Sequence, residues 1–230
     1  MLAVLVLVLA WAALHAVDAI LRYVSTTYSL VLERLGIQIT LCSIRCRTSA
    51  LNRITFRIAK AFPRLTTWWF TAGTVFGVAA MLLAPILLVS NVFAFLIKIR
   101  LANQQDTELT ATSANTHSDA STAQSDVLVP MVPGVTLPGS DLLLFIVTLL
   151  LTGLLHELGH AVAAVNENVR LQCFGVFCMC AYVGAFVELQ TDRLAAASPL
   201  SRLRIFCAGV WHNFVLALGA AALLWWLPSK

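Results

Sequence analysis

Three residues in one short segment, His156, Glu157 and His160, have the types and spacing found in metal-dependent hydrolases. On a helix, residues four apart lie on one face, one turn apart, so both imidazoles can reach the same ion. Imidazole is a common ligand of Zn²⁺, which lowers the pKa of a bound water to about 7. Glu157 lies about 100° around the helix from His156 and is placed to act as general base. The pattern predicts zinc-dependent peptide hydrolysis.

A catalytic zinc site needs a third protein ligand and an open fourth position. In some zinc proteases a third histidine would fall at position 166, where this chain has Asn166. His212, Glu188 and Asp192 are the other candidates, and none has a diagnostic spacing. The residues alone therefore leave the third ligand unassigned.

The composition indicates a membrane environment for this motif. Hydrophobic residues make up 60% of the 230 residues and charged residues 11%, against about 25% charged in soluble domains. Ionisable groups in a membrane helix cost several kcal/mol unless paired, so they are functional by default. Packing alone poorly explains three such residues on one turn. No basic face with interleaved aromatic residues is present, so we expect no nucleic-acid partner.

Four apolar stretches are long enough to cross a bilayer, which needs about 20 apolar residues. We predict transmembrane helices at residues 1–21, 68–97, 142–165 and 203–227, the third carrying the metal motif. A cleaved signal peptide would have a basic n-region, and no Lys or Arg precedes Arg22. We therefore expect residues 1–21 to be a retained span.

The segments between these stretches differ in charge. Residues 22–67 are rich in Lys and Arg, which indicates a cytosolic loop by the positive-inside rule. Within this loop, residues 48–62 are either an amphipathic helix on the membrane surface or a solvated basic connector. Residues 98–141 are predicted to be a lumenal Ser/Thr-rich linker, and 166–202 a cytosolic segment with a short re-entrant or β-like part. The predicted fold is an all-α multi-pass membrane protein with about four transmembrane helices.

The cysteines do not indicate a metal site or a disulfide. They form no CxxC pair, and several lie inside apolar runs, where cysteine acts as a small hydrophobic residue. We predict no disulfides. The six cysteines are Cys42, Cys46, Cys173, Cys178, Cys180 and Cys207.

Around the metal motif, the sequence resembles the site-2 proteases, and their animal members most closely. The segment Leu155–His160 looks like the HExxH helix of that family. The resemblance is dense from about residue 127 to 224 and looser from 1 to 126. The other similar stretches are Val169–Arg170, Phe174–Phe177, Tyr182–Val187, Ser198–Pro199 and Arg202–Phe214.

The resemblance implies a site-2 protease membrane core with a Zn²⁺ cofactor. It implies that the partners are the lipid bilayer and transmembrane substrates: membrane-tethered transcription factors, such as the sterol regulatory element-binding proteins, already cut on their lumenal side. It implies a location in the Golgi or endoplasmic reticulum. Residues from Gly175 to Phe186 would form an edge where an unwound substrate adds a strand. Gly209–Asn213 matches the family's GxxxN pattern, which puts Asn213 near the zinc to hold substrate backbone or transition-state charge.

The chain also departs from that family. The family's third zinc ligand is the Asp of an LDG motif on a later helix, and this sequence contains no such motif. We therefore expect a truncated fragment that does not hydrolyse peptides alone. One alternative is a non-catalytic membrane protein that keeps the protease core and binds transmembrane clients. Another is a small transporter, which would show internal repeats, and none is seen. The sequence does not indicate the oligomeric state.

Overall fold

A computed structural model describes residues 2–40, 42–111, 138–179 and 182–227. Most of the predicted linker and Cys180 lie outside these residues. The first part of the described chain contains α1 (Leu2–Val24), α2 (Thr26–Leu35), β1 (Ile37–Thr40), β2 (Ser43–Thr48), α3 (Asn52–Ala61) and α4 (Pro63–Ala111). A 3₁₀ turn (Gly139–Asp141) is followed by α5 (Leu142–Asn166), β3 (Leu171–Met179), β4 (Tyr182–Leu189), α6 (Thr191–Ala196) and α7 (Pro199–Trp226).

Three of the described helical stretches are long and apolar enough to cross a membrane: Pro63–Leu101, Gly139–Asn166 and Pro199–Trp226. A fourth span is added if α1 and α2, which bend by 117° at a short break, are counted as one. The predicted all-α multi-pass membrane fold is confirmed at this level. The side of the membrane on which each connecting segment lies stays a prediction.

The described strands form one small antiparallel sheet in the order β1-β2-β3-β4. The β3–β4 hairpin provides the β-like part expected within residues 166–202. The sequence analysis did not predict β1 and β2, because both are short, and β2 contains two arginines and pairs with a distant segment. Arg47 of β2, for example, pairs with Gly175 of β3.

Helix α3 lies within the stretch for which an amphipathic helix was one of two expectations. It buries Thr55 and Ala59 against the rest of the protein, while its other faces stay exposed. The helix itself therefore agrees with the first expectation, and its placement on a membrane surface stays a prediction.

By its contacts the chain divides into two units, residues 1–77 with 143–230 and residues 78–142, and the metal motif lies in the first. The core of this unit contains many small residues where α5, α7 and the start of α4 meet. A Cβ added to Gly159 of α5 would lie 2.8 Å from the carbonyl oxygen of Ala208 in α7. Small residues at such contacts let membrane helices approach closely.

A largely buried ion pair joins the same three helices. Arg204 of α7 donates to Oε1 of Glu167, just after α5, at 2.9 Å, and to Oγ1 of Thr71 in α4 at 3.1 Å. The hydroxyl of Ser201 donates to the second carboxylate oxygen of Glu167 at 2.6 Å. The two charged side chains are only 17% and 12% exposed. The pair therefore fixes how α4, α5 and α7 meet near the metal motif.

Candidate metal centre

His156 and His160 lie one turn apart on α5, with ring centroids 4.8 Å apart in an edge-to-face arrangement. Both rings direct Nε2 at the same place on α7. A Cβ added to Gly209 would collide with the Nε2 atoms of both histidines. The space that Gly209 leaves is therefore shared by two imidazole nitrogens, as two ligands of one ion require.

The Nδ1 atom of each imidazole is held by a partner on α7. His160 Nδ1 lies 2.6 Å from the carbonyl oxygen of Ile205, which can only accept, so Nδ1 carries the proton and Nε2 keeps its lone pair. Histidines that bind metals usually donate their second N–H to a carbonyl or carboxylate in this way.

His156 has Asn213 as its partner, with the amide 3.1 Å from Nδ1. Oδ1 of Asn213 is buried and has no hydrogen-bond partner when Nδ2 faces the ring. Turning the amide over brings Oδ1 to Nδ1–H of His156, which leaves Nε2 free to bind a metal. The contact therefore supports either tautomer, and one of them matches His160.

The three α7 positions that touch the histidines, Ile205, Gly209 and Asn213, follow one another at intervals of four residues. Such positions lie along one face of a helix. This face supplies a carbonyl acceptor, a gap without a side chain, and an amide. The residues present thus fit Zn²⁺ as two imidazole ligands with supported ring orientations.

The carboxylate of Glu157 interacts with the backbone N–H of Val187 in β4. One turn earlier, Gly153 lies beside Ala185, where an added Cβ would be 3.9 Å from the backbone nitrogen. Strand β4 is at the end of the described sheet, so the expected edge is formed by β4, whereas Gly175 lies on β3, which is paired on both sides. The predicted general base therefore sits between the histidine pair and a strand edge.

The structure does not bring the candidate third ligands to the pair. His212 directs Nδ1 at the carbonyl oxygen of Leu155, 3.2 Å away, and its ring packs near Trp69 and Phe70. Asp192 lies in the first turn of α6. Among the described residues, no group of three His, Cys, Asp or Glu side chains is placed to hold a metal.

Glu188, the remaining candidate, belongs to a separate cluster on the sheet. It forms an ion pair with Arg47 at 2.8 Å and accepts a hydrogen bond from the Cys173 thiol at 3.2 Å. Burial, helped by this carboxylate, raises the pKa of Cys173 to about 11. Cys173 is therefore a protonated, unreactive thiol at neutral pH. Cys46, Cys173 and Cys207 are free thiols.

The sequence predicts His156, Glu157, His160 and Asn213 as site residues, which stays a prediction, and it does not indicate the groups on α7 that contact the two histidines. The carbonyl of Ile205 has no sequence signal, because every residue carries one. In the sequence, Gly209 is recognisable only as the glycine of the GxxxN pattern. Because Gly209 lies four residues before Asn213, the spacing indicates that both residues face the same helix, α5.

Comparison with known proteins agrees with this geometry. The family model of Peptidase family M50 matches residues 144–229. A membrane-bound transcription factor site-2 protease homolog from Arabidopsis thaliana is 27% identical over 198 residues, which is 85% of this chain. That alignment covers 34% of the plant protein, so the chain spans about a third of its relative's length. No solved structure matches the chain.

Proposed function

We propose that this chain belongs to peptidase family M50 and is the metal-binding part of an intramembrane zinc metalloendopeptidase of the site-2 type. The convergence of two Nε2 atoms on the gap at Gly209 carries this proposal. The gap lies between two helices that can each span a membrane. Ionisable groups placed there are expensive unless they serve a function.

In this proposal, His156 and His160 hold the zinc ion, and the residues around them have separate roles. Zinc, when bound, supplies Lewis-acid chemistry that makes water acidic at neutral pH. Glu157 takes the proton of the water that attacks the scissile carbonyl and returns a proton to the leaving nitrogen. The carbonyl of Ile205 keeps Nδ1 of His160 protonated. Asn213 holds His156, and holding substrate backbone or transition-state charge is its second proposed task.

The proposed substrates are membrane-tethered transcription factors, of the sterol regulatory element-binding protein type. The name of the plant relative supports this class. A transmembrane helix keeps its carbonyls in internal hydrogen bonds, so a substrate must unwind before hydrolysis. The outer edge of β4 offers backbone groups to an extended segment, and Glu157 lies beside Val187 on that edge. By the same resemblance, we propose a Golgi or endoplasmic reticulum membrane as its location.

We further propose that the 230 residues alone bind zinc weakly and do not hydrolyse peptides. Two imidazoles lie together in the described residues, and a third ligand does not join them. This observation also favours the second candidate function, a non-catalytic membrane protein that keeps the protease core and binds transmembrane clients.

Zinc titration of the purified chain tests the metal site. We expect binding that is lost in both His156→Ala and His160→Ala, and retained in His15→Ala, which removes an imidazole from α1. If all four proteins bind zinc equally, the metal site is wrong and the client-binding function is favoured.

A cleavage assay in membranes tests the activity of this chain. The substrate is a single-span protein with a reporter domain on its cytosolic side, and the measured quantity is reporter released from the membrane. We expect no release above that of Glu157→Gln. Release by the wild-type chain that disappears in Glu157→Gln would overturn the proposed inactivity and establish the endopeptidase.

A further inference from the structure

Helix α3 and the start of α4 expose two different kinds of surface. One is a row of basic residues at intervals of three and four, here called the basic stripe: Arg53, Arg57, Lys60 and Arg64. The other is a row of apolar residues, of which Ile54, Ile58 and Phe62 are 53%, 48% and 66% exposed. These two surfaces lie side by side on one amphipathic element.

A cavity of about 500 Å³ opens on the apolar side of this element, and we call it the elbow pocket. Ile58, Phe62 and Leu65 are exposed side chains of its lining, and Trp69 is partly exposed. Leu158 of α5 and His212 of α7 also line it. The lining is almost entirely apolar, so water gains little by filling the pocket.

The charge along this segment of the chain has one sign. No Asp or Glu occurs between Glu33 and Asp106, so the basic stripe has no acidic neighbour in its own segment. An amphipathic helix with exposed apolar and basic rows is suited to the boundary between lipid headgroups and acyl chains. Basic residues near this boundary attract anionic lipids.

We infer that the elbow pocket binds one acyl chain of an anionic phospholipid, whose headgroup is held by the basic stripe. Arg57 directly precedes Ile58, so the charge and the apolar lining meet at adjacent residues. A single molecule that joins a long apolar chain to a negative group satisfies both surfaces at once. The bound chain would contact α5 through Leu158 and α7 through His212.

Quenching of tryptophan fluorescence by brominated acyl chains tests this site, because bromine quenches by contact. The purified 230-residue chain is reconstituted with brominated phosphatidylglycerol or brominated phosphatidylcholine. The emission of Trp69 is taken as the difference between wild type and Trp69→Phe. We expect it to be half-quenched at a mole fraction of the anionic lipid on the order of tenfold below that of the neutral lipid.

Two pairs of substitutions separate the basic stripe from net charge. Arg57→Gln with Lys60→Gln is expected to abolish the preference for the anionic lipid. Lys98→Gln with Arg100→Gln removes the same charge from α4 and is expected to preserve it. Leu65→Glu, at an exposed position of the lining, is expected to weaken quenching by the anionic lipid, and it leaves Trp69 in place.

Each opposite result overturns the inference. Equal quenching by the two lipids at every mole fraction means ordinary contact with bulk lipid. Loss of the preference on adding glycerol phosphate at millimolar concentration means a site for soluble anions. Absence of Trp69 quenching by either lipid means that the pocket is covered by protein.

Discussion

Each half of α7 contains one glycine, and the two glycines have different surroundings. Gly209, in the first half, has no room for even one methyl group, because two imidazole nitrogens occupy the space. Gly219, in the second half, has nothing within 4 Å of an added Cβ. Trp225 and Trp226, at the end of the helix, are 90% and 79% exposed. The presence of a glycine alone therefore does not show which part of a membrane helix packs closely against a neighbour.

The difference follows from what faces each half. The first half meets small residues of α4 and α5, including Gly73, Gly77 and Gly159, which allow close approach. This closeness brings a backbone carbonyl of α7 within 2.6 Å of an imidazole on α5. The second half exposes apolar side chains, such as Leu218, Leu224 and Trp225, which suit contact with lipid. The proposed metal site thus coincides with close helix packing.

Gly209→Ala should have the largest effect of any single substitution on this comparison. The new methyl group would fill the shared space, and we expect zinc affinity to fall by roughly 100-fold or more, the upper range for losing support of a ligand. Equilibrium zinc binding measures this. Gly219→Ala, on the same helix, is the matched control and should bind zinc as wild type does.

Circular dichroism of both glycine variants would show whether they fold. A folded Gly209→Ala protein with unchanged zinc affinity would mean that the two imidazoles do not bind metal in the space that Gly209 leaves. The first half of α7 would then differ from the second half in packing but not in metal binding.

The ion pair of Arg204 and Glu167 should account for the next largest effect. Arg204→Leu leaves the Glu167 carboxylate without its partner in a largely buried place, which typically costs about 3–5 kcal/mol. Denaturant unfolding in detergent micelles measures the change. Arg193→Leu, on the exposed face of α6, should stay within about 0.5 kcal/mol of wild type. Similar stability of the two variants would show that α7 is held by its small residues alone.

The proximity of His156 and His160 is predictable from the sequence, because it depends only on local helical spacing. His156 and His160 are four residues apart, so a helix alone is enough to bring them together. The sheet depends instead on distant pairing: Asn52, at the start of α3, donates its side-chain amide to the carbonyl of Gln172, 120 residues away. The short strands β1 and β2 show no periodic pattern that would indicate such distant partners. The supporting carbonyl of Ile205 escaped prediction for a similar reason, because main-chain acceptors are identical at every position.

Asn213→Ala should give the smallest of these effects, and it tests how the first half of α7 supports His156 separately from His160. Removing the amide leaves Nδ1 of His156 without its partner on α7, while Ile205 still holds His160. We expect zinc affinity to fall by about 10-fold to 100-fold, the usual range for losing a group that orients a metal ligand.

Asn213→Asp distinguishes a positioning role of this residue from simple filling of space. A carboxylate can accept from Nδ1–H of His156 but cannot donate to it, so it keeps the tautomer that leaves Nε2 free. We expect Asn213→Asp to bind zinc at least as tightly as wild type, as measured by the same titration. If Asp and Ala lower the affinity equally, Asn213 does not set the His156 tautomer, and the first half of α7 supports the pair through Ile205 and the gap at Gly209 alone.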